Sequence, residues 1–165
     1  MSRSPAIDKS AVREALLTRL REELASRFKA GREAEAGATD PQNKAENKYD
    51  TRGLELSYLA AGQSRQIAQL EANIAEIQSM PLRDFAPTEA AGVGALVTVA
   101  PASGTEETVY FLAPGGGGTE LTMGRREIVV ITPASPLGQQ LVGQKKDHTF
   151  ALGRSGPSQR IVGVR

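Results

Sequence analysis

Apolar residues near the start of the chain recur at three- and four-residue steps, with Val12, Leu16, Leu17, Leu20, Leu24 and Phe28 set among Arg, Glu and Lys. This spacing predicts one apolar stripe on an otherwise charged helix. Asp8 or Ser10 is positioned to cap its beginning. A second and longer pattern, Leu56, Ala60, Gln63, Ile67, Leu70, Ile74 and Ile77, alternates steps of four and three. That is the heptad seam of a helix lying along another helix, and Pro81 ends it. Between the two stripes Gly37, Asp40, Pro41 and Asn43 are turn formers, so the chain is expected to reverse over 37–43 and the helices to become antiparallel neighbours. The stripe thins toward the reversal, because residues 31–38 offer the seam only alanine and glycine.

Beyond Pro81 the composition shifts to Pro, Gly, Thr and Val and the period falls to two, which predicts strands near 93–99, 107–112, 127–131, 148–152 and 159–164. Residues 135–143 read as one short helix, with Ser135 as N-cap, Pro136 at the first helical position and Gly143 as the stop. The glycine run at 115–118 has no Lys-Ser/Thr after it and reads as a flexible hairpin loop, not a phosphate cradle. The expected fold class is α+β: an antiparallel helical hairpin (coiled coil) over 1–80 with its tip at about 37–50, a linker over 81–91, and a small β-rich domain over 92–165.

Charge and composition then narrow the function. A formal charge of +1 on 165 residues argues against generic binding to nucleic-acid phosphates, which needs a basic excess. The charges are unevenly spread: six acids face four bases between Arg32 and Glu55, whereas seven bases face two acids from Arg125 onward. Zero cysteines remove disulfides, thiolate metal sites and thiol nucleophiles, and the single histidine, His148, leaves no multi-histidine zinc site. No apolar run reaches signal-peptide or membrane-span length, so a cytoplasmic protein without a membrane partner is expected.

Three stretches carry a resemblance to the Gre transcript-cleavage factor family. They are Leu20-Arg21-Glu22-Glu23-Leu24 in the first helix, Glu46-Asn47-Lys48-Tyr49-Asp50 leading into Arg52 and Glu55, and Ser135-Pro136-Leu137-Gly138 followed by Leu141 and Gly143. The Ser-Pro-Leu-Gly segment is the most specific of them. The resemblance implies a bacterial transcription elongation factor whose hairpin enters the secondary channel of RNA polymerase while an FKBP-like C-terminal domain docks at the channel mouth. It also implies a monomer that meets the nascent RNA 3′ end only indirectly and has no cofactor of its own. Acidic tip residues of the family help the polymerase hold a second Mg2+ and position a water, so that backtracked RNA is cut. Here the corresponding candidates are Glu46 and Asp50, as ligands shared with the polymerase. Lys48, Arg52, Ser135, Pro136 and Leu137 are the candidates for contact with the partner.

The tip departs from the family pattern. Cleaving members place an aspartate and a glutamate three apart, whereas this chain has Glu46 and Asp50 four apart with the order of types reversed. On one helix face they still lie together. Two activities therefore stay open: stimulation of the polymerase's own RNA cleavage, or occupation of the channel without cutting. Without the resemblance, the same acids read as a solvated helix start among Lys44, Lys48 and Arg52. Readings from other classes are a coiled-coil adaptor and a prolyl isomerase. Against the isomerase, only Tyr110, Phe111 and Phe150 supply aromatics after residue 90, too few to line a proline-sized pocket.

Overall fold

The computed structural model describes residues 6–39 and 52–165. Its elements are helices α1 (Lys9–Thr39) and α2 (Arg52–Ser79), strands β1 (Leu96–Pro101), β2 (Thr108–Leu112), β3 (Glu120–Met123) and β4 (Arg126–Ile131), helix α3 (Pro136–Leu141), and strands β5 (Thr149–Ala151) and β6 (Ser158–Val164). This is an α+β chain of long helices and one mixed six-stranded sheet. It divides into two compact units, Thr18–Ala75 on one side and Met1–Leu17 with Glu76–Arg165 on the other.

Within Thr18–Ala75 the partners of α1 descend along α2. Arg27 bonds Gln66, and the Cα of Gly31 faces Gln63 and Ile67. Leu20 and Leu70 are buried, Leu24 and Ile67 are half-buried, and Phe28 is 42% exposed. The apolar stripe therefore weakens along α1, as its composition requires. Of the heptad positions, Gln63 and Ile74 are half-buried, while the side chains of Leu56 and Ala60 lie outside the described ones. The reversal expected to begin at Gly37 does not begin there, because α1 continues through Gly37 to Thr39. One glycine costs a helix only about 1 kcal/mol relative to alanine, and Ala30, Ala34, Ala36 and Ala38 around it are strong helix formers. The rest of that expected turn, residues 40–43, lies outside the described residues.

In the other unit, Val12, Leu16 and Leu17 of α1 and Ile77 of α2 are almost wholly buried. Each such aliphatic side chain contributes about 1.5–3 kcal/mol relative to exposure. The sheet order is β3-β4-β2-β1-β6-β5. β1 pairs antiparallel with β2 and with β6, β2 pairs parallel with β4, and the outer pairs β3·β4 and β5·β6 are antiparallel. A bulge between Thr98 and Val99 shifts the β1·β6 register. Val97, Val99, Leu112, Ile131, Ile161 and Val164 gather on one core with Phe85, Leu141 of α3 and Phe150 of β5.

The glycine run at 115–118 is not a hairpin loop. β4 stands between β2 and β3, so the chain leaving Leu112 must cross the end of β4 before returning as β3. Glycine makes that crossing possible: Gly116 and Gly118 have φ of 75° and 88°, values that side chains oppose. A Cβ on Gly117 would stand 3.1 Å from Thr132 Cγ2. Gly118 N donates to Val130 O at 2.8 Å and pins the crossing to β4. The hairpin is instead β3·β4, turned at Gly124 (φ 66°) and Arg125, with glycine first as two-residue hairpins favour.

Candidate partner-binding surfaces

The Ser-Pro-Leu-Gly segment is built from the end of β4. Ser135 is extended (φ −67°, ψ 155°) and caps α3. Its Oγ accepts from Gly138 N at 3.0 Å and donates to Thr132 O at 2.8 Å, so one hydroxyl ties the helix start to the strand that precedes it. Pro136 occupies the first helical position, where no backbone N–H is needed. Gly138 is required by space: a Cβ there would fall 1.8 Å from Thr132 O. Leu137 is half-buried and packs against the sheet core, and Pro136 is exposed. Of the three residues, Pro136 offers the most surface to a partner.

Arg52 opens α2, and Glu46, Lys48 and Asp50 lie outside the described residues. Among the described residues no group of three or more His, Asp or Glu side chains is gathered to hold a metal ion, and no helix is long and apolar enough to cross a membrane. His148 stacks on Phe150 with centroids 6.4 Å apart and its carbonyl accepts from Ile161 N at 2.9 Å. Its surroundings are those of a strand-start residue. Next to it Asp147 takes φ 72° and its carboxylate meets Arg160 at 3.3 Å.

A cluster at the start of α1 was not legible in the sequence. Lys9 is only 9% exposed. Its Nζ donates to Arg83 O at 2.6 Å and lies 4.7 Å from the centroid of the Phe85 ring. The Arg83 guanidinium sits 3.9 Å from the same centroid and pairs with Glu89 at 2.5 Å. Glu89 also accepts from Ala86 N at 3.1 Å. Burial lowers the Lys9 ammonium below its usual range and Arg83 adds to this, while Asp84 and Glu89 oppose it. The hydrogen bond from Arg83, helped by the Ala86 amide, holds the Glu89 carboxyl below its usual range. The sequence did carry one signal. Lys9 opens α1, where acids are the helix-stabilising choice.

No sequence-family profile matches the chain, and no curated protein matches it by sequence. Solved structures do. GreA factor homolog 1 (Gfh1) of Thermus thermophilus is 20% identical, with 92% of this chain and 95% of that chain covered at a TM-score of 0.37. Gfh1 of Thermus aquaticus is 19% identical, with the same coverage and TM-score. The GreA/GreB elongation factor of Nitrosomonas europaea is 20% identical over 67% of this chain and 91% of that chain, at a TM-score of 0.34. The chain is thus similar to two solved Gfh1 structures and to one solved GreA/GreB transcription elongation factor.

Proposed function

We propose that this protein is a Gre-like transcription elongation factor that acts on bacterial RNA polymerase from within its secondary channel. The observation that carries the proposal is an order of elements. Two helices of 31 and 28 residues, with antiparallel side-chain pairing, precede a mixed sheet that holds a Ser-Pro-Leu-Gly helix start between β4 and β5. In this reading the helices form a hairpin that enters the channel, and the β-rich, FKBP-like half docks at its mouth through the exposed Pro136 beside the Ser135 cap. The segment joining Thr39 to Arg52 then carries Glu46, Lys48 and Asp50 toward the RNA 3′ end.

A second divalent cation at the polymerase centre would activate water and stabilise the leaving oxygen of an in-line displacement. The part left to this chain is to supply one carboxylate or two, since Mg2+ takes few protein ligands and keeps its waters. The four-residue spacing and reversed order of Glu46 and Asp50 favour a second reading within the same family, in which the hairpin occupies the channel and does not cut.

Two experiments decide. The chain retained on immobilised core RNA polymerase supports the proposal, and its failure to bind at low ionic strength overturns it. With stalled elongation complexes, short 3′ RNA fragments that disappear with Glu46→Ala or Asp50→Ala show cleavage by these acids. Binding without fragments establishes occupation alone.

A further inference from the structure

The two helices of Thr18–Ala75 carry along their seam an open groove of about 1000 Å³ that the proposed function does not use. Ala25, Phe28 and Arg32 line it from α1, and Ala61, Ala68 and Glu71 line it from α2. Steps of three, four and seven residues place each set on one face of its helix. The groove is floored by alanine, and Phe28 is the one large apolar side chain of α1 and α2 left exposed among those described. Its two charges stand at opposite ends. Arg27 meets Gln66, and a Cβ on Gly31 would face Gln63 and Ile67, so the helices run in opposite directions and Glu71 is level with residues 22–25 of α1. Phe28 is therefore central, with Arg32 about one turn, or about 6 Å, to one side and Glu71 about one turn to the other. Neither Arg32 nor Glu71 forms an ion pair among the described residues.

We propose that this groove is a self-association surface, on which a second copy of the chain lies antiparallel about a two-fold axis passing near Phe28. A two-fold axis exchanges the ends of the groove. Arg32 of each copy then faces the partner's Glu71, and two ion pairs flank a centre where each Phe28 ring rests on the alanines opposite. Small side chains there let the helices approach closely enough for the ring to be covered. A charge pattern that is its own complement under a two-fold axis selects a second copy over a helix of unrelated sequence. The groove offers about 10 Å of helix length across two helices, each about 10 Å wide, which places the pair at the low end of interface sizes, below about 1,200 Å². Association is therefore weak and reversible: the dilute chain stays single, and pairs form as its concentration rises.

Sedimentation equilibrium of the full chain tests the surface. At low salt the average mass is expected to rise from the single-chain 17.5 kDa toward twice that value as the concentration approaches about 1 mM, which detects a millimolar dissociation constant. Arg32→Glu sets like charges opposite each other twice per pair and is expected to weaken association about tenfold. Glu71→Arg does the same, and the two substitutions together restore the parent's behaviour because the pattern is only inverted. Phe28→Ser, at an exposed position, is expected to abolish association while circular dichroism keeps the parent's helix signal. A single mass at every concentration overturns the proposal, as does association that the combined exchange fails to restore. Association unchanged in both Phe28→Ser and Arg32→Glu places the contact elsewhere and overturns it as well. A parent that never pairs, together with a Phe28→Ser variant no longer captured by core RNA polymerase, assigns the groove to the polymerase instead.

Discussion

Replacing Gly138 by alanine tests whether the α3 start is set by space. The new Cβ would lie 1.8 Å from Thr132 O, 2.8 Å from Thr132 C and 2.9 Å from Ser135 Oγ. Two of these neighbours are backbone, so no rotamer change relieves them. The first turn of α3 must move away from the end of β4, and that movement stretches the two bonds of the Ser135 hydroxyl, at 3.0 Å and 2.8 Å. Overpacking costs about 1–3 kcal/mol and loss of an N-cap about 0.5–2 kcal/mol, so Gly138→Ala is expected to destabilise by roughly 1.5–5 kcal/mol. Each kcal/mol lowers the melting midpoint by roughly 4–8 °C in a domain of about 100 residues. Urea titration followed by circular dichroism gives the free energy directly, and Ser135→Ala measures the cap alone at about 0.5–2 kcal/mol. A Gly138→Ala protein within about 0.5 kcal/mol of the parent, the ordinary range for a neutral surface change, would refute the steric account.

Three other outcomes are expected. Leu16→Ala costs about 2–5 kcal/mol because it hollows a closed core, whereas Phe28→Ala, at a side chain 42% exposed, costs much less; equal losses in urea would sink this ranking. Lys9 is expected to give stability an alkaline dependence: its folded-state pKa lies below 10.5, so between that lowered value and 10.5 the unfolded chain holds more protons and stability rises with pH. The rise is read as the difference in urea midpoint between the parent and Lys9→Met, and a difference that does not change with pH refutes it. Pro136→Ala is expected to weaken capture by core RNA polymerase while leaving the urea midpoint nearly unchanged, because the ring is exposed at a helical position that alanine also accepts; undiminished capture removes Pro136 from the interface.

The parts of this fold that sequence reveals are those whose signal is periodic or local. The stripe from Val12 to Leu20 is buried at the positions its spacing predicts, and the Ser135 cap with Pro136 after it is decided within four residues. Strand β3 escapes such a reading because Glu120–Met123 is short and buries only Leu121, so no alternation accumulates. The crossing by the glycine run escapes for another reason: nothing near Gly115 announces that β4 will insert beside β2. The Lys9 cluster is least legible, since Lys9 meets Arg83 and Arg13 meets Met80 across separations of 74 and 67 residues. A lysine at the start of a helix looks like surface until the chain is folded. Of the candidate site, Ser135, Pro136 and Leu137 are seen in their setting, and the acids stand in the segment between α1 and α2.

The place of β6 between β1 and β5 has a consequence for biosynthesis. β1 emerges from the ribosome well before its second neighbour, and until residues 158–164 follow, the edge running along Leu96, Val97 and Val99 has no strand beside it. Unpaired apolar edges recruit other chains. A nascent or prematurely terminated product is therefore most prone to aggregate in the interval after β4 is complete and before β6 arrives, a hazard that ends when Ile161 and Val164 close the sheet.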